Sequence, residues 1–162
     1  MNARKFLTAF QAMSAKRLTP GFLADFELMK HKDMDLSIRL GALLGFNALL
    51  LASAIQPISA SPGAPLSLDA ATQPLEALVI ALGVVLLSFS GYLCVRGILI
   101  GEEFETDDLG DQDGEILKAR LFDAFCRSID EQQRALSRAS KFTLAGGLVT
   151  LAGCLWIMVA KM

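Results

Sequence analysis

Three uncharged apolar stretches constrain this chain more than any other feature. They cover residues 40–55, 77–95 and 142–160. With the apolar residues that flank them, each reaches roughly the 17–25 residues that a helix needs to cross a bilayer. A soluble protein could bury one such helix, but three in 162 residues leave too little polar surface to cover them. The stretches predict an all-α membrane protein with three transmembrane helices.

The breaks between these stretches divide the chain into seven predicted segments. They are a cytoplasmic amphipathic region at 1–37, a transmembrane helix at 38–58, a short extracytoplasmic loop at 59–74, a second transmembrane helix at 75–100, an acidic cytoplasmic linker at 101–114, a cytoplasmic helix at 115–141 and a third transmembrane helix at 142–160. Thr19 and Pro20 form a helix start, with a capping hydroxyl before a proline at the first helical position. No proline follows residue 115, so the cytoplasmic helix is predicted to continue without a break into the third span.

The basic residues predict an orientation. Seven Lys and Arg residues precede Leu40, whereas the segment 56–75 has none. By the positive-inside rule, the N-terminus and the 101–141 segment are expected in the cytoplasm and the C-terminus outside. Four of the basic residues surround an apolar face and are expected either to lie on the membrane surface or to belong to a solvated tail. These four are Arg4, Lys5, Lys16 and Arg17.

Small residues mark faces at which helices can approach closely. Gly41 and Gly45 form a G-x-x-x-G pair that Ala48 continues, and such a pair is typical of helix packing in membranes. The third span has a second small-residue face made of Gly146, Gly147, Thr150 and Gly153. These faces predict close packing either within one subunit or between copies. Asn47 lies near the middle of the first span, where an amide is expected to form an interhelical hydrogen bond or, alternatively, to line a pathway.

A further apolar seam is predicted on the cytoplasmic helix. Its members are Phe122, Phe125, Ile129 and Leu136, three of which recur every seven residues. A seam of this kind is buried against another helix. The partner is expected to be either Phe22 and Phe26 of the same chain or another subunit.

The chain lacks the residue patterns of known catalytic and binding sites. Its one histidine, His31, stands between two lysines, and its three cysteines are far apart in sequence. No phosphate-binding loop, nucleophile elbow or zinc-ligand motif occurs. The acidic run up to Gly114 does not place carboxylates at the positions that a calcium loop requires. We therefore expect no enzyme, no catalytic residue, no cofactor, no metal and no nucleic-acid partner.

Two stretches carry a resemblance to a known family. Residues 130–151, DEQQRALSRASKFTLAGGLVTL, run from a basic polar helix into a glycine-rich span. Residues 35–51, DLSIRLGALLGFNALLL, form an apolar first span. Both resemble the small membrane-spanning effectors of bacterial cyclic-nucleotide immune systems of the Pycsar type. The resemblance implies an oligomer that disrupts the bacterial inner membrane after a nucleotide signal.

Two functional hypotheses follow. In the first, the chain is an accessory or scaffold subunit that acts by helix–helix assembly in the inner membrane. Its partners are then the lipid bilayer and either copies of itself or other membrane-protein subunits. In the second, it is a signal-triggered membrane-disrupting effector or a small oligomeric channel.

Overall fold

The computed structural model describes residues 20–61, 64, 67–69, 71–100 and 114–160, with their side chains outside 20–26 and 114–121. This part of the chain folds into three α-helices. They are α1 (Pro20–Ser59), α2 (Pro74–Leu99) and α3 (Gly114–Ala160). Each is long and apolar enough to cross a membrane. The predicted all-α class with three candidate spans is therefore confirmed.

The first helix runs from the lead-in segment into the first span without a break, as the lack of Gly and Pro between Asp33 and Arg39 predicts. α1 is a single helix of 40 residues that contains both the lead-in and the first span. It begins at Pro20, whose missing N–H costs nothing in the first turn. It continues past Pro57 to Ser59, and the backbone N–H of Leu68 donates a hydrogen bond to the Pro57 carbonyl at 2.8 Å. The loop after α1 is thus tied to the end of the helix.

The third helix is continuous, as predicted. α3 has 47 residues and is about 70 Å long at 1.5 Å per residue. The second helix is shorter and starts with Pro74 in its first turn. Its first turn contains Glu76 and its last turn contains Arg96, so both charges complement the helix dipole.

The three helices pack side by side as a bundle. α2 runs antiparallel to both neighbours, and α1 and α3 run parallel. A core cluster of Leu40, Leu93, Cys94 and Ala139 joins all three helices at one level. Away from this level, Leu44 lies against Gly91, Ile80 against Gly153, and Leu50 against Gly147. In this direction the residue numbers rise along α1 and α3 and fall along α2, which sets the arrangement.

At the level where α2 ends, each of the three helices carries an arginine. Leu40 contacts Gly97 and shares the core cluster with Ala139, so these residues lie at the same height. The residue before each of them is an arginine, namely Arg39, Arg96 and Arg138. We call this level the arginine end. From it, each helix continues for about 20 almost uncharged residues, roughly 30 Å, which matches the hydrocarbon thickness of a bilayer.

The bundle exposes apolar side chains and buries polar ones in this region. Leu49, Val85 and Leu144 are exposed by 68%, 62% and 67%. Asn47 and Ser90, in contrast, are 1% and 0% exposed. Such a distribution is unfavourable in water and fits a hydrocarbon solvent, in which polar groups must find partners inside the protein.

Candidate functional site

The middle of the bundle contains a hydrogen-bonded group of polar side chains, one from each helix. We call Asn47, Ser90 and Thr143 the polar node. The Asn47 Nδ2 atom donates to Ser90 Oγ at 3.0 Å, and Thr143 Oγ1 donates to Asn47 Oδ1 at 2.9 Å. Ser90 Oγ donates to the carbonyl of Ala139 at 2.7 Å. The node therefore links α1, α2 and α3 directly.

The node uses its hydrogen-bonding groups efficiently. Each hydroxyl has one proton. The Thr143 proton is accepted by Asn47 Oδ1 and the Ser90 proton by the Ala139 carbonyl. The two hydroxyl oxygens of Ser90 and Thr143 also lie 2.8 Å apart. An amide or hydroxyl left without a partner in an apolar interior costs several kcal/mol on alkane transfer scales. Each member thus depends on the other two, and the node specifies the register of the three helices.

Small residues allow α2 and α3 to approach closely. A Cβ added to Gly146 would lie 2.9 Å from Leu87 Cγ, and one added to Gly153 would lie 2.8 Å from Ile80 Cδ1. At Gly83 the glycine belongs to α2 and the side chain that covers it belongs to α3, because an added Cβ would meet the Thr150 hydroxyl. Side chains of each helix therefore fill the gaps left by glycines of the other. Gly147 faces a different neighbour, since its nearest atom is Leu50 Cδ1 on α1 at 3.5 Å.

The small residues of α1 face away from the bundle. Apart from the adjoining backbone of α1 and the chain neighbours, no described atom lies within 4 Å of a Cβ added to Gly41 or Gly45, and Ala48 is exposed. We call these three residues the α1 small face. Among the described residues, no other helix packs against this face, so it is open to lipid or to a helix of another molecule.

The apolar seam of α3 lies partly against α1 of the same chain. Phe125 and Ile129 are 6% and 7% exposed, whereas Phe122 is 40% exposed. Leu136 is half-buried against the core cluster. Two polar contacts join the helices beside the seam, Cys126 Sγ with Met29 Sδ at 3.7 Å and Gln132 Nε2 with Asp33 Oδ1 at 2.9 Å. The side chains of Phe22 and Phe26, and the membrane-surface residues Arg4, Lys5, Lys16 and Arg17, lie outside the described part of the chain.

The contact between Gln132 and Asp33 provides the first prediction. Gln132 is 3% exposed, so Gln132→Glu would place a buried carboxylate against that of Asp33. We expect this change to destabilise the protein by about 2 kcal/mol, the worth of a hydrogen bond to a charged group. Adding Asp33→Asn should restore most of the loss. Thermal unfolding in detergent measures both effects, and Gln133→Glu, at an exposed neighbouring position, is the control. Equal stability of Gln132→Glu and Gln133→Glu would contradict the role assigned to this bond.

Several residues of these contacts were not singled out by the sequence pattern. Gly83, Ser90 and Gly97 are buried on α2, and Thr143 completes the polar node on α3. A signal for three of them exists, because Gly83, Ser90 and Gly97 are spaced seven residues apart. A seven-residue repeat of small residues in an apolar helix indicates a packing seam.

The described residues contain no group of three His, Cys, Asp or Glu side chains that could hold a metal ion. His31 is exposed on α1. No protein-family model matches the chain, and no curated protein or solved structure is significantly similar to it. The class that the fold defines is a three-helix bundle whose helices have the length and composition of membrane spans.

Proposed function

We propose that this chain is a non-enzymatic integral protein of the bacterial inner membrane that acts by helix–helix assembly, as an accessory or scaffold subunit of a membrane complex. The observation that carries the proposal is the α1 small face. Gly146 and Gly153 of α3 are covered by side chains of α2, whereas no described side chain and no described atom of another helix lies within 4 Å of a Cβ added to Gly41 or Gly45.

The physical basis is the way in which helices associate in lipid. Lipid tails are as apolar as leucine, so apolar surface alone gives little drive for association in a membrane. Small residues contribute because they let two backbones approach and make extensive van der Waals contact. An outward G-x-x-x-G pair is therefore a surface for a further helix, from a second copy or from another membrane subunit.

The proposed orientation puts the arginine end in the cytoplasm. Arg39, Arg96 and Arg138 occupy one level, and the segment 56–75 at the opposite end contains no Lys or Arg. Cytoplasmic loops carry an excess of these residues. This orientation leaves the N-terminus inside and the C-terminus outside.

The proposal predicts that Gly41→Leu with Gly45→Leu abolishes assembly and leaves the fold of the subunit intact. The leucines would fill the close-approach surface, but they meet no described atom of the same subunit within 4 Å of their Cβ positions. The measurements are mass in native detergent, cross-linking in membranes and thermal unfolding.

Ala81→Leu is the matched control, because Ala81 is an exposed small residue on α2 and outside the α1 small face. It should leave the mass of the complex unchanged. Persistence of the same complexes after Gly41→Leu with Gly45→Leu would overturn the proposal. A wild-type protein that is monomeric in both native detergent and membranes would overturn it equally.

The second candidate is the membrane-disrupting effector or small channel implied by the family resemblance. The two stretches that carry the resemblance, 35–51 and 130–151, pack in parallel through contacts such as Asn47 with Thr143 and Leu50 with Gly147, so they form one structural unit. Expression of the whole chain in bacteria separates the candidates. Growth arrest with loss of membrane potential supports the effector, and stable co-purification with unrelated membrane subunits supports the scaffold.

A further inference from the structure

A cleft of about 220 Å³ lies between α2 and α3 at the arginine end. Three arginines line it, namely Arg96, Arg134 and Arg138. Glu131 is the one acidic residue among its described lining, and Leu93 and Ala135 contribute apolar wall. The cleft therefore combines an excess of guanidinium groups with an apolar surface.

The positive charge of this cleft is only partly neutralised by its neighbours. Arg134 forms an ion pair with Asp130. Arg96 and Arg138 form no ion pair with any residue that the structure describes. Among the described residues, two guanidinium groups from different helices therefore have no carboxylate partner in this cleft. Guanidinium groups bind phosphate oxygens through paired hydrogen bonds, which makes arginine the residue of choice for phosphate.

An apolar surface continues from the cleft toward the middle of the bundle. Phe142 lies four residues after Arg138, and Phe89 lies seven residues before Arg96, so each is on the same face of its helix as the arginine. Their rings pack edge to face with centroids 4.9 Å apart. Phe89 is 45% exposed and the neighbouring Tyr92 is 58% exposed. A ligand with an anionic head in the cleft would therefore have apolar surface beside its other end.

We propose that this cleft binds the phosphate headgroup of an anionic phospholipid, with an acyl chain lying along Phe89 and Phe142. Arg96 and Arg138 hold the phosphate at the level where the uncharged part of the helices begins. Basic pockets between transmembrane helices bind acidic headgroups in this way. A free phosphate would engage the same guanidinium groups, but it would gain nothing from the apolar surface beside them. The site lies on α2 and α3 and is separate from the α1 small face.

Binding of a short-chain phosphatidylglycerol to the full chain in detergent, measured by native mass spectrometry, tests this proposal. Dioctanoyl-phosphatidylglycerol should bind more tightly than dioctanoyl-phosphatidylcholine. Arg96→Gln and Arg138→Gln should each weaken binding roughly fivefold, the effect expected for one basic residue near an anionic surface. The double variant Arg96→Lys with Arg138→Lys keeps the charge and loses the paired hydrogen bonds. Its affinity should fall between that of the wild type and that of the double variant Arg96→Gln with Arg138→Gln. These arginines are exposed, and thermal unfolding should change little in every variant, since the loss of a cation in the last turn of α2 has only a small effect on stability at an exposed position.

Arg39→Gln is the matched control. Arg39 lies at the same level and its loss changes the net charge equally, but it is not part of the cleft, and it pairs with Asp35 at 2.9 Å. A loss of affinity equal to that of Arg96→Gln would overturn the proposal, because binding would then reflect diffuse charge. Equal binding of the two lipids would also overturn it. If inorganic phosphate displaced the lipid at concentrations similar to those of the lipid itself, the site would be one for free anions and the lipid assignment would be wrong.

Discussion

Gly83→Ala is expected to destabilise the bundle by about 1–3 kcal/mol, the usual cost of overpacking a well-packed interior. The added methyl group would clash with the Thr150 hydroxyl. It would also lie 3.3 Å from the backbone nitrogen of Thr150 and 3.4 Å from the carbonyl oxygen of Gly146. The contact with the Thr150 hydroxyl is the severe one, and the backbone nitrogen at 3.3 Å requires a further shift of a few tenths of an ångström. A shift of this kind between α2 and α3 would loosen the contacts around Leu87 and Ile80.

A second substitution tests this explanation directly. Thr150→Ala removes the hydroxyl that the new methyl group would meet, and that hydroxyl has no hydrogen-bond partner among the described residues. Alone it should have little effect, and combined with Gly83→Ala it should recover part of the lost stability. Recovery should be incomplete, since the close backbone atoms remain. Unfolding by heat or by a denaturing detergent measures all three variants.

Gly45→Ala is the control for the glycine substitution. It makes the same chemical change in a helix, but no described atom lies within 4 Å of the added group. Because alanine favours helix over glycine by about 1 kcal/mol, Gly45→Ala should be neutral or slightly stabilising. Equal stabilities of Gly83→Ala and Gly45→Ala would show that α2 and α3 do not approach as closely as described.

The second large effect is expected at the polar node. Thr143→Val keeps the shape of the side chain and removes its hydroxyl, which leaves Asn47 Oδ1 without the donor that lies 2.9 Å away. We expect a loss of about 1–2 kcal/mol, the upper range for interhelical hydrogen bonds in membranes. Asn47→Leu should cost a similar amount, because the amide bonds to both α2 and α3.

The double variant separates a hydrogen bond from unrelated packing effects. Thr143→Val and Asn47→Leu remove the two ends of one bond, so their combined cost should be smaller than the sum of the single costs. Additive costs would mean that the two side chains act independently. Ser140→Ala is the control, since its exposed hydroxyl bonds only to the Leu136 carbonyl of its own helix. That change should shift the unfolding temperature little.

The contact between Gly83 and Thr150 and the polar node lie in the interior of the bundle. The surfaces to which functions are proposed lie on its outside. The polar residues of the node bond to one another, so they have little capacity left for a ligand. The α1 small face and the arginine cleft, in contrast, are exposed. Variants of the interior should therefore change stability, whereas variants of the two outer surfaces should change association or lipid binding at constant stability.

The sequence by itself determined where the helices lie and that their length and apolar surface match a bilayer. The lengths of the uncharged stretches predict spans because each residue adds 1.5 Å and the hydrocarbon core has a fixed thickness. Pro20 predicts the start of α1 from its fixed backbone angle, and the lack of proline after residue 115 predicts the unbroken α3. These inferences need only local geometry, so one chain's sequence is sufficient for them.

Only the tertiary structure decided which small residues pack within the subunit and which face outward. Gly41 with Gly45 and Gly146 with Gly153 both form small-residue faces in the sequence, but the first face is open and the second is covered by Leu87 and Ile80. The tertiary structure also brings Asn47, Ser90 and Thr143 together and places three arginines at one level. The physical reason is that lipid and protein interior are equally apolar. A membrane helix therefore need not show, in the pattern of its apolar residues, which of its faces meets another helix.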